Sequence, residues 1–129
     1  MNIMIDDLSG RNSFRKEMVE GFIRDNPSFT IQQIKQIPIK SLAKIFAENN
    51  IICPPDYMTI DIEGMEYEVL KDFDLKSNGP KVITIEISHY SKNGALLETL
   101  LSESGYFLWL KIFHNYTFIK NDYKEIVYA

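Results

Sequence analysis

Tyr57-Met58-Thr59-Ile60-Asp61-Ile62-Glu63-Gly64-Met65-Glu66-Tyr67-Glu68-Val69-Leu70-Lys71 joins two periodicities at one glycine. Up to Glu63 the pattern alternates, with Met58, Ile60 and Ile62 on one face and Thr59, Asp61 and Glu63 on the other, as successive side chains of a strand do. From Gly64 onward Met65, Val69 and Phe73 recur at helical spacing with Leu70 beside them, while Glu66, Lys71 and Asp72 stay polar. The stretch predicts a strand, a turn and a helix, with two carboxylates leaving the same face near the strand's carboxyl end. In open α/β sheets ligands sit in the crevice beyond those ends, which makes Asp61 and Glu63 candidates for a site.

The same strand pattern returns downstream. Asn78-Gly79-Pro80 is a turn into Lys81-Val82-Ile83-Thr84-Ile85-Glu86-Ile87, where Thr84-Ile85-Glu86-Ile87 matches Thr59-Ile60-Asp61-Ile62 position for position. Two apolar strands joined by a helix predict parallel neighbours. Neighbouring strands lie about 4.8 Å apart, so in register Asp61 and Glu86 stand side by side. Like charges that close are relieved in one of three ways: a raised pKa on one, a cation between them, or an offset register.

Outward from this unit the chain supplies support. Asn2 to Ile5 is expected as the tail of a strand. Ser13 is expected to cap a helix presenting Phe14, Met18, Phe22 and Ile23, ending before Asn26-Pro27. Thr30 to Lys40 is expected as an extended edge or crossing segment with one partly buried edge, because Pro38 does not suit a central strand. Ser41 caps a short helix with Leu42, Ile45 and Phe46 inward, closed by Asn49-Asn50. After the second strand, a helix burying Leu96, Leu97, Leu100 and Leu101 ends at Gly105. Tyr106 to Phe113 and Tyr116 to Ile119 follow as an antiparallel hairpin about His114-Asn115, with its aromatic residues as hairpin core and edge cover. Asp122 to Ala129 is a polar tail, docked or frayed.

Composition narrows the function classes. The 129 residues, 45% hydrophobic and 12% aromatic, suit a single domain over 1–129 with one core. With 14 basic against 18 acidic residues and a net charge of −4, no basic stripe exists for nucleic acid, and none is expected as partner. The lone Cys53 permits no internal disulfide and reads as a small apolar filler. No apolar run suits a membrane span or a secretory leader, so the expected location is cytoplasmic, with no membrane partner.

Ile60-Asp61-Ile62-Glu63-Gly64-Met65-Glu66-Tyr67-Glu68-Val69-Leu70-Lys71, then Phe73-Asp74, Pro80-Lys81-Val82-Ile83 and Ile85-Glu86, closely resemble the FkbM-type S-adenosylmethionine-dependent methyltransferases. Ile37-Pro38-Ile39-Lys40-Ser41-Leu42 and Pro55-Asp56-Tyr57 look like the segment before that motif, and Gly105-Tyr106 with the hairpin fits the family's end. The resemblance implies an α/β fold: a partial Rossmann-like methyltransferase sheet of parallel strands with a carboxyl-terminal antiparallel hairpin and helices packed on it. It implies methyl transfer from S-adenosylmethionine to a hydroxyl of a sugar or secondary metabolite. One departure stands out. The glycine-rich first turn and the following acid-bearing strand, which hold the cofactor in such enzymes, have no counterpart among the six glycines here. The chain thus resembles a carboxyl-terminal half, and its cofactor-binding residues stay unassigned.

Asp61, Glu63, Glu86 and His89 are the expected catalytic residues, and Asp61 with Glu86 the expected ligands of a divalent cation, if one is used. Each has a plainer reading. Asp61 can hydrogen-bond the turn amides, and Glu63 gains roughly 0.3–1 kcal/mol from a helix dipole without catalytic duty. Gly64 can be a backbone requirement, His89 and His114 loop and turn residues, and Glu66 and Glu68 dipole-favoured surface residues. The rival to an enzyme is a non-catalytic remnant or partner subunit, whose exposed sheet edge is covered by a homo-oligomer or by an amino-terminal-half polypeptide.

Overall fold

The computed structural model describes residues 2–4, 12–88 and 93–125. The elements, in order, are β1 (Asn2–Met4), α1 (Lys16–Asp25), β2 (Gln33–Lys35), α2 (Leu42–Glu48), β3 (Tyr57–Ile60) and α3 (Glu66–Leu70). Then come α4 (Leu75–Asn78), β4 (Val82–Glu86), α5 (Gly94–Glu103), β5 (Tyr106–Ile112) and β6 (Asn115–Lys120). No helix among the described residues is long and apolar enough to cross a membrane.

The main sheet runs β3-β4-β6-β5. β3 and β4 are parallel, with Thr59 opposite Thr84 and Ile60 opposite Ile85, the register predicted from their matching sequences. β6 enters antiparallel between β4 and β5, so the sheet is mixed. This is the expected α/β architecture of parallel strands closed by an antiparallel hairpin. β1 and β2 pair separately as a two-stranded ribbon.

Alternation sorts the sheet into two faces. Ile60, Ile83, Ile85, Ile87 and Phe118 are buried on one, under Leu70 of α3, Leu75 of α4, and Leu97 and Leu101 of α5. Each such side chain contributes about 1.5–3 kcal/mol by leaving water, which makes this layer the stabilising centre of the fold. The opposite face carries a threonine row, Thr59, Thr84 and Thr117 on three adjacent strands, with the last two hydroxyls 3.0 Å apart. Tyr106 locks the hairpin to the β4 entry: its buried phenol donates to the Pro80 carbonyl at 2.5 Å.

Several local expectations give way to packing. The helix after Gly64 does not run to Phe73; it stops at Leu70, and Asp74 then caps α4 by accepting from the Ser77 amide at 3.1 Å. Ser13 does not cap α1, whose N-cap is Arg15 without a side-chain bond. Residues 30–40 are exposed throughout instead of burying one edge. Ile45 and Leu96 face solvent more than their helical spacing implied, at 40% and 51% exposure. Cys53 is exposed and fills no core, and Trp109 and Phe113 lie open at the hairpin instead of covering it. The hairpin turn is Phe113-His114, with Phe113 left-handed at φ +53°. Ser41 does cap α2, accepting from the Lys44 amide at 3.2 Å.

Candidate active site

The β3–β4 ladder ends at Ile60 opposite Ile85. One residue further along the same pleat, Asp61 and Glu86 leave the threonine face, and Asn115 stands opposite Glu86 on β6. Carboxylate oxygens of Asp61, Glu63 and Glu86 lie within 4.8 Å of one another. Asp61 is exposed, and the other two are half-buried. The structure therefore brings together three of the four acids and bases expected from sequence; the fourth, His89, lies outside the described residues. His114 sits in the hairpin turn, where its carbonyl accepts the Ile87 amide at 2.7 Å and closes the sheet just beyond Glu86.

The third carboxylate gets there through the turn. Glu63 and Gly64 both have positive φ, +52° and +101°. Glycine tolerates that region freely, whereas a residue with a Cβ is strained there and persists only where its surroundings hold it. The surroundings here are specific. Glu66, expected at the surface, is buried at 5% exposure, and its Oε1 accepts the Gly64 amide at 3.0 Å and the Ile62 amide at 3.2 Å. The reason is that the first amides of a helix and its preceding turn have no partner in the helix itself, and a nearby carboxylate satisfies them. From the other side Ser13 Oγ donates to the Glu63 carbonyl and Arg15 Nε to the Gly64 carbonyl at 3.1 Å. Arg15 Nη2 also pairs with Glu68 Oε1, which accepts from Asn93 Nδ2 at 3.3 Å.

Glu66, Ser13 and Arg15 are the residues that sequence reading missed. Glu66 left a signal, an acid two residues after a turn glycine at a helix start, which is placed to reach back to the turn. Ser13 and Arg15 left none, since their partners lie 50 and 49 residues away.

Chemically, three hard oxygen donors at the carboxyl ends of parallel strands can accept hydrogen bonds from a hydroxyl, take up its proton or ligate a cation. A glycine cradle for S-adenosylmethionine is not formed among the described residues. Gly21 lies inside α1, and Gly64, the glycine at a strand-to-helix turn, has the open side of its Cα filled: an added Cβ would overlap Met18 Sδ. The residues described do not by themselves fit that cofactor.

No curated protein and no solved structure matches the chain significantly. The family model described as the methyltransferase FkbM domain matches residues 7–118, which takes in α1, the acid turn and both parallel strands. The chain belongs to the FkbM methyltransferase domain family.

Proposed function

We propose that this chain supplies the acceptor side of an S-adenosylmethionine-dependent methyl transfer to a hydroxyl of a sugar or secondary metabolite. The observation that carries the reading is the meeting of Asp61, Glu63 and Glu86 within 4.8 Å at the strand ends, in a member of a methyltransferase family. Asp61, the most accessible of the three, accepts the hydrogen bond of the acceptor hydroxyl and receives its proton as the oxygen becomes nucleophilic. Glu63 and Glu86 hold the acceptor's remaining donors and keep the local field negative, which favours the proton's residence on the carboxylates. Asp61 and Glu86, with Glu63 beside them, are also the residues that would hold a divalent cation; ligand bonds of about 2.0–2.6 Å allow two oxygens on one cation to be up to about 5 Å apart. The family suggests S-adenosylmethionine as donor, and its cradle belongs to groups outside the described residues. Calorimetric titration of S-adenosylmethionine into the full chain, alone and mixed with any polypeptide encoded beside it, should show binding in at least one case. Heat in neither removes the enzymatic reading.

A second reading, a partner subunit, is favoured by the sheet edge. Among the described residues no strand pairs with the outer edge of β3, and consecutive residues Met58 to Ile62 line a groove of about 510 Å³ whose other wall includes Phe14, Pro38 and Ile39. Residues from both faces of one strand line a groove only where the strand's edge is open, and an open edge is a template for another strand. In this reading a second copy or an amino-terminal-half polypeptide covers it. Light scattering after size exclusion tests the point: a clean monomer at high concentration, with no association on adding that polypeptide, excludes it.

A further inference from the structure

We infer that Ser13 and Arg15, at the entry to α1, are positioning residues of the acid cluster: they hold the left-handed Glu63-Gly64 turn that folds the third carboxylate back onto Asp61 and Glu86. The inference rests on the reading of those acids as the working groups, but its test reads the turn itself.

Along an extended strand, residues two apart are separated by about 6.6 Å, and Glu63 would continue away from Asp61. It does not continue, because Glu63 and Gly64 turn left-handed at φ +52° and +101°. For Glu63 that conformation is unfavourable by itself, and the peptide groups around it need partners that keep it. The amide side is held by Glu66, through Ile62 N and Gly64 N. The carbonyl side is held from the segment that enters α1: Ser13 Oγ donates to the Glu63 carbonyl, and Arg15 Nε to the Gly64 carbonyl. Ser13 is itself fixed, buried at 3% exposure and accepting the Arg15 amide at 3.0 Å. α1 and its N-cap also lie against the turn, with Met18 Sδ and Arg15 Cγ on the side of Gly64 where a Cβ would stand.

Arg15 does what a lysine cannot. A planar guanidinium offers several donors at fixed angles, so Nε can meet the Gly64 carbonyl while Nη2 meets the Glu68 carboxylate. Through Asn93 on the same Glu68 oxygen, the clamp reaches the N-terminal end of α5. Residues 13–15 and Asn93, both distant in sequence, thus converge on the segment 63–68 that carries Glu63.

The test is solution NMR on the full chain with Ser13→Ala, Ser13→Thr and Arg15→Lys. The expected result for Ser13→Ala and Arg15→Lys is a shift of the Glu63 Cα and Cβ resonances away from left-handed values. With it, hydrogen exchange at the Gly64 and Ile62 amides should rise about tenfold or more, while the Ile83, Ile85 and Phe118 amides keep their protection. Ser13→Thr, which keeps the hydroxyl, should restore the wild-type signature. Unchanged Glu63 resonances and Gly64 exchange in both variants overturn the inference. So does an equal loss of protection in the β4–β6 ladder, which would mean that Ser13 and Arg15 hold the fold at large. Failure of S-adenosylmethionine to bind would leave these outcomes readable, since none of them requires turnover.

Discussion

Glu66 turns a buried carboxylate back beneath Gly64, accepting that residue's amide at 3.0 Å. The same oxygen accepts the Ile62 amide, so one side chain satisfies both amides that the turn between β3 and α3 would otherwise leave without partners. Glu66→Ala is expected to cost about 1–3 kcal/mol, because it strips one buried and one part-buried donor of their acceptor. Glu66→Gln keeps an acceptor oxygen and should recover most of that loss. Urea unfolding of both variants checks the difference; equal stability of Glu66→Ala and wild type contradicts the assignment.

Gly64 meets two constraints at once, a φ of +101° and a Met18 sulfur where a Cβ would stand. Gly64→Ala should destabilise by about 2–5 kcal/mol, the sum of a backbone strain and an overpacking cost. Pairing it with Met18→Ala separates the two, since the smaller side chain removes the clash and leaves the strain. Recovery of part of the loss, measured by thermal or urea unfolding, is the expected outcome; no recovery means that the sulfur does not matter.

Burial pushes the Tyr106 phenol well above its ordinary value of 10.0. The folded state therefore keeps the neutral phenol where the unfolded chain ionises. The resulting contribution is fully present below pH 10 and declines as pH rises through the folded value. Tyr106→Phe removes this dependence, together with the hydrogen bond to the Pro80 carbonyl. The stability gap between wild type and variant in urea should be widest near neutrality and narrow above pH 10; a gap constant up to pH 11.5 contradicts it.

Much of this fold was legible because it is written locally. The repeated Thr-Ile-acid-Ile pattern predicts the β3–β4 register, and the structure pairs Thr59 with Thr84 and Ile60 with Ile85. The register in turn places Asp61 beside Glu86, and the two do meet. What stayed hidden depends on distant packing. No spacing near Ser13 announces a bond to Glu63, 50 residues on, and its place before a helix pointed instead to an ordinary cap. Glu66 looked like surface because acids at a helix start are favoured there anyway, and its one local signal, the turn glycine two residues before it, suits a solvated acid as well as one folded beneath its own turn. Trp109 and Phe113 carry the composition of a core, yet the sheet ends at β5 and leaves them 46% and 88% exposed.

The claim that the three acids form the acceptor side of a methyl transfer is tested most directly by following labelled methyl from S-adenosylmethionine into a panel of sugar and phenolic acceptors. The assay uses the full chain, alone and with any polypeptide encoded beside it, and compares wild type with Asp61→Asn. The expected result is transfer by the wild type and a loss of about 10²-fold or more in Asp61→Asn, at unchanged folding, as removal of a general base produces. Wild-type rates in Asp61→Asn would contradict it.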